Sequence, residues 1–112
     1  MAQDGAFSYE ISESVDGNDL KTTTITCHGK LVSQDTGAIH EVVKPLIEAG
    51  GHILIDLTDV SYLDSAALGA LVSMKVSALN KGYCKLELVN LSARVKQLLT
   101  MTNLLQLFSQ GN

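Results

Sequence analysis

The chain has no tryptophan, one proline, two cysteines and only 4% aromatic residues among its 112 positions. Each scarcity excludes something. Two cysteines, Cys27 and Cys84, cannot build the disulfide framework of a small secreted domain. No Cys-x-x-Cys pair is present, and His28, His40 and His52 lack the short paired spacing of a zinc site, so neither a metal nor a cofactor is expected. Positive charge is also sparse. Eight basic residues are scattered against twelve acidic ones, for a net charge of -4, whereas a nucleic-acid surface needs clustered Lys and Arg. No apolar run of about 18 residues occurs, and no basic-then-apolar leader opens the chain, so neither a membrane span nor a secretory signal is expected and the cytoplasm is the default setting. Without such a signal, Asn90-Leu91-Ser92 matches a glycosylation acceptor only by accident and reads as a helix start.

What is present is ordinary for one globular domain: 46% apolar and 18% charged residues, enough for a single core of two or three layers across residues 1–112, with 1–6 as a polar tail. Both cysteines fall among apolar strand neighbours and are expected as free core thiols.

Phe7, Tyr9 and Ile11 alternate as in a strand with one buried face. After a turn at Asp16-Gly17-Asn18-Asp19, the threonine-rich run Lys21 to Cys27 returns as its antiparallel partner and ends at Gly29. Ser33 or Asp35 can start a first helix, whose apolar positions Ala38, Ile39, Val42, Val43, Leu46 and Ile47 have helical spacing and which Gly50-Gly51 ends. Pro45 inside it predicts a kink or a break into two short helices. Ile53-Leu54-Ile55 with Leu57 reads as a central strand buried on both faces, with a turn at Asp59. Asp64 is the N-cap of a second helix reaching about Asn80. A fourth strand covers Lys85–Val89, and Ser92 caps a third helix to about Thr102, where Asn103 takes a left-handed cap. Leu104 to Phe108 is read as a short last strand or an apolar tail. The order predicts an α/β fold: a mixed sheet of four to five strands, an antiparallel hairpin plus parallel strands joined by right-handed crossovers, with helices packed against it.

The junction from His52 through Gly69, His-Ile-Leu-Ile-Asp-Leu-Thr-Asp-Val-Ser-Tyr-Leu-Asp-Ser-Ala-Ala-Leu-Gly, is the candidate functional segment. It leads from a buried strand into a helix through a hydroxyl-rich start. Ser65 falls in the first helical turn, where free N–H groups and the macrodipole would favour a phosphate by roughly 0.3 to 1 kcal/mol. Plain capping by Asp64 and Ser65 accounts for the same residues. Along the second helix, Ser65, Gly69, Ser73 and Ser77 recur every four residues as a stripe of small side chains. Such a stripe either packs on the protein's own helices or offers a flat docking face, with Ala66 and Gly69 at its centre and the Asp64 carboxylate at its rim.

Three stretches resemble the STAS domain, the fold of bacterial anti-sigma-factor antagonists. Cys27-His28-Gly29-Lys30-Leu31 is similar to its second strand and Gly-x-Leu turn. Asp56 to Ser65 is similar to its third strand and switch loop, and Asn90 to Leu99 to the entry of its third helix; the likeness covers residues 7 to 108. The resemblance implies a regulatory protein, not an enzyme, that binds an anti-sigma factor, often a serine-kinase ATPase, and so frees a sigma factor. In that family phosphorylation reverses binding. The usual motif, Asp-Ser-Ser/Thr-Gly-Leu-Gly, aligns with Asp64-Ser65-Ala66-Ala67-Leu68-Gly69, so the phosphoacceptor position is held by Ala66. Ser65 is one residue away, a rotation of about 100° on a helix, and a kinase that aligns its acceptor with ATP would not readily follow that shift. The resemblance thus implies a partner face of Asp64, Ser65, Ala66, Gly69 and Ser73, with Ser65 the one candidate phosphosite. Val32 departs from the acidic residue often found after Gly-x-Leu. The family also continues into a further C-terminal helix for which this sequence has no counterpart.

Asp56, Asp59 and Asp64 gather near a strand end, where open sheets bind ligands, but no nucleophile pair, phosphate loop or Gly-x-Ser-x-Gly elbow accompanies them, so catalysis is not expected. Two other readings stay open: a regulatory subunit of a lipid or anion transporter, and a nucleotide- or anion-sensing scaffold component.

Overall fold

The computed structural model describes residues 6–15 and 17–104. Four strands, β1 (Ser8–Val15), β2 (Lys21–Leu31), β3 (Gly51–Leu63) and β4 (Cys84–Val89), form one sheet in that spatial order. β1 pairs antiparallel with β2, while β2–β3 and β3–β4 are parallel. The parallel pairs need crossovers, supplied by α1 (Thr36–Ala49) and α2 (Ser65–Lys81); α3 (Ala93–Met101) follows β4.

The two-residue period of a strand decides the core. Ile25 and Cys27 of β2, Ile53, Ile55 and Leu57 of β3, and Leu86 and Leu88 of β4 are buried in a single cluster with Ile39 and Val43 of α1, Leu71 and Met74 of α2, and Val95 and Leu99 of α3. The opposite row, including Thr24, Thr26, Leu54, Asp56, Glu87 and Val89, contains no buried residue. β3 is therefore not buried on both faces as its apolar run suggests. Helices of a two-layer fold shield one face only, which leaves Leu54 half-buried.

Three other expectations are corrected. β1 is exposed along its whole length, with Ile11 49% accessible; Tyr9 and Ile11 point to the core side, but at the sheet edge no helix reaches over them. α1 runs unbroken through Pro45. Pro45 and Glu41 both lie on the exposed side, where water can satisfy the Glu41 carbonyl that the missing N–H leaves free. β3 does not turn at Asp59 but continues to Leu63, and β2 continues to Leu31, through two register shifts, between Thr26 and His28 and between Gly29 and Lys30.

The helix ends follow local chemistry. Asp64 and Ser92 accept N–H bonds from Ala67 and Val95 at 2.8 and 3.3 Å, Gly50 and Gly82 end α1 and α2 with φ near +80°, and Asn103 is left-handed at +61°. A single 3-10 turn, Ser33–Asp35, precedes α1. Cys27 and Cys84 are buried free thiols. The expected final element over Leu104–Phe108 lies outside the described residues except for Leu104, which packs on the core.

Candidate functional site at the strand ends

The carboxyl ends of β2, β3 and β4 bring together the turns that start α1, α2 and α3. Asp64 holds extended backbone angles before α2, so its short side chain folds back over the first turn. One carboxylate oxygen accepts from Ala67 N at 2.8 Å and the other from Ser33 N at 2.9 Å. The acid thus ties the α2 start to the turn before α1, and both oxygens are engaged inside the fold rather than free at a rim.

Beyond it, Ser65, Ala66, Gly69, Ser73 and Ser77 are all exposed, while Ala67, Leu71, Met74, Lys75 and Ala78 turn inward. The small-residue stripe does not pack against the protein's own helices. A Cβ placed on Gly69 would meet nothing within 4 Å. The result is a shallow strip whose side chains are too small to hinder an approaching backbone.

Each of the three acids read as a cluster from sequence is held by its own partners. Asp56 accepts from the Thr58 amide and hydroxyl at 2.9 and 2.7 Å and from Asn90 Nδ2 at 3.0 Å. Burial alone would raise its carboxyl; those donors and nearby His28 outweigh it and hold the group below the usual carboxylate range. Asp59 turns to His28 Nδ1 at 2.6 Å, and Asp64 to the two helix starts. All three acids are thus engaged in structural bonds within the fold.

Sequence reasoning missed several residues here. Ser92, found as a cap, also donates its hydroxyl to Val60 O at 2.7 Å, docking α3 on β3. Tyr62, partly exposed three residues before Ser65, carries Arg94 over its ring at 5.9 Å. Ser33 had no signal beyond helix starting. These pairs span 30 residues or more of sequence, so no local pattern reveals them. Two cavities, of about 220 and 270 Å³, lie beside Gly50-Gly51 and beside Phe7 and Lys30; neither is lined by α2. Among the described residues no helix is long and apolar enough to cross a membrane.

A mixed four-stranded sheet under three helices, with an aspartate-capped helix presenting small residues at the strand ends, is the architecture of a STAS domain. The chain belongs to that family, the fold of anti-sigma-factor antagonists: the STAS domain model matches residues 9–111. It is similar to the anti-sigma-B factor antagonist of Bacillus subtilis (strain 168), with 35% identity over 88 residues, 78% of this chain and 76% of the relative. Solved structures share the fold. An anti-sigma factor antagonist from Mycobacterium paratuberculosis has a TM-score of 0.76 at 16% identity, covering 97% of this chain and 88% of that one. The Bacillus cell fate determinant SpoIIAA, in its phosphorylated form, gives 0.65 at 17% identity over 87% and 85%.

Proposed function

We propose that this protein is an anti-sigma-factor antagonist that sequesters an anti-sigma factor through the exposed α2 strip of Ser65, Ala66, Gly69 and Ser73, and so activates sigma-dependent transcription in the cytoplasm without touching nucleic acid. The observation that carries the reading is the strip itself: small residues at four-residue spacing, exposed and uncovered by the protein's own helices. Asp64 contributes by fixing where α2 begins. The partner class comes from the curated relative, an anti-sigma-B factor antagonist; a serine-kinase-type ATPase is one form such a partner can take.

One protein of the same fold, the Bacillus cell fate determinant SpoIIAA, has been seen in a phosphorylated form. The position equivalent to the family phosphoacceptor is Ala66, which has no hydroxyl, and Ser65 projects from a different angle of the helix. The protein accordingly acts as an antagonist that a kinase partner cannot switch off at this position. The test is titration of the cognate anti-sigma factor with purified protein, before and after incubation with ATP. Saturable binding, displacement of the sigma factor and no phosphate on residues 53 to 75 are expected. Selective binding to a transporter subunit, or to a nucleotide or anion alone, would replace this reading.

A further inference from the structure

His28 lies on the sheet face that the helices leave open, in the stretch of β2 between its two register shifts. Its ring reaches both neighbouring strands. Nδ1 meets Asp59 Oδ2 of β3 at 2.6 Å, and Nε2 faces Glu10 Oε1 of β1 at 3.5 Å. The side chain as a whole is 31% exposed, yet Nε2 itself is shielded from solvent and has no hydrogen-bond partner. The contact to Glu10 is too long for a good hydrogen bond, so its effect is one of charge.

That geometry makes the two protonation states unequal. The short bond to a carboxylate requires the hydrogen of a neutral ring to sit on Nδ1. Nε2, shielded from solvent, then turns a bare lone pair toward a second carboxylate. A proton on Nε2 converts that opposition into attraction. The charged groups facing the ring are Glu10 from β1 and Asp59 and Asp56 from β3; Asp56 is shared with Thr58 and Asn90. All three acids favour the cation. The hydrogen bond that His28 donates to Asp59 accordingly raises the affinity of the ring for its proton, against desolvation and with further help from Glu10. Among the described residues no group of three His, Cys, Asp or Glu side chains is arranged to hold a metal ion.

We propose that His28 is a proton-operated clamp on the edge strand: the imidazolium bridges Glu10 of β1 and Asp59 of β3, and loss of the Nε2 proton releases the Glu10 end. β1 is suited to such control, because every residue in it is exposed and no helix covers it. A second ion pair on β1, Glu13 with Lys21 at 3.1 Å, is solvent-exposed on both sides and contributes little. A histidine with a raised affinity for its proton adds stability in full below about pH 6.5, its unfolded value, and loses it as pH rises through the folded value.

The test is an NMR titration of the imidazoles in the full chain, run together with amide exchange of Tyr9 to Glu13 corrected for intrinsic pH dependence. The proposal expects His28 to titrate above an ordinary histidine, with β1 protection falling severalfold across that same midpoint and the neutral ring carrying its hydrogen on Nδ1. His28→Gln should lock β1 at its low protection at every pH. Glu10→Gln, at an exposed position and safe for folding, should lower the midpoint and flatten the β1 profile while leaving β3 amides unchanged. A wild-type β1 profile that is flat through the His28 midpoint, or one that Glu10→Gln leaves unaltered, overturns the proposal.

Discussion

Asp64 and Ser33, 31 positions apart in sequence, are joined by a 2.9 Å bond from the serine amide to the aspartate carboxylate, while the other carboxylate oxygen caps α2 through Ala67. Removing the acid therefore strips acceptors from two helix starts at once. Asp64→Ala should cost about 1 to 3 kcal/mol, a lost cap plus a second orphaned amide. Asp64→Asn, whose single amide oxygen can serve only one of the two donors, should cost less than Ala and more than nothing. Urea denaturation of the three proteins ranks them, and equal midpoints for wild type and Ala would disprove the bridge.

Gly69 separates stability from binding. It is exposed in mid-helix with open space around it, so Gly69→Arg replaces a poor helix former and should raise stability by up to about 1 kcal/mol while abolishing binding to the anti-sigma factor. Ser65→Ala should leave affinity within a few tenths of a kcal/mol. Calorimetric titration and thermal melts read both properties, and a Gly69→Arg protein that binds normally removes the docking face from α2.

Gly51 is constrained for the opposite reason. Its φ is +95°, and a Cβ there would lie 2.9 Å from the Lys21 carbonyl oxygen, a backbone atom that cannot swing aside. Gly51→Ala should lose at least about 1 to 3 kcal/mol through forced backbone strain, visible as a lower melting temperature. Gly37, also with nothing near its missing Cβ, is the control and should tolerate Ala without loss.

Among the described residues Lys75 is the one fully buried cation, its ammonium donating to Leu86 O at 2.7 Å. Desolvation lowers its pKa from the usual lysine value, with Glu87 opposing and Lys85 adding to the effect. The unfolded chain then binds the proton more readily than the folded one. From Lys75 alone, stability should rise with pH between its folded value and about 10.4. Cys27, which burial pushes up to about 12, acts in the reverse sense, since its stabilising contribution is lost as pH climbs from the ordinary thiol value. The informative quantity is thus the difference between the pH–stability curves of wild type and Lys75→Met. The curves should diverge as pH rises toward 10, and parallel curves would refute the assignment.

How much of this the sequence disclosed depends on the range of each interaction. Caps and stops were readable at Asp64, Ser92, Gly50 and Asn103, because a side chain bonding an amide three residues on, or a left-handed residue after a helix, is local chemistry. The exposure of Tyr9 and Ile11 was not, since alternation tells which way residues point but not whether a helix lies above them. Leu54 misled for the same reason. At the candidate site the α2 stripe followed from four-residue spacing, whereas its solvent exposure depended on where α1 and α3 lie. The pairs Ser33–Asp64, Tyr62–Arg94 and His28–Asp59 exist only once separate strand ends are side by side.

The uneven pairing of β2 and β3 governs what the chain can tolerate during evolution. Between paired landmarks β3 takes seven steps, from Asp56 to Leu63, while β2 takes five, from Thr26 to Leu31. Those extra residues set the phase in which Leu63 turns into the core, Tyr62 turns out, and Asp64 arrives opposite Ser33. Deleting or inserting one residue in Thr58–Ser61 would invert that phase, burying a polar ring and stranding a leucine in water, whereas the hairpin tip at Gly17-Asn18 can change length freely. Related chains should accordingly vary at that tip yet keep a fixed count of residues between Asp56 and Asp64, a spacing rule that holds even where every side chain between them has drifted.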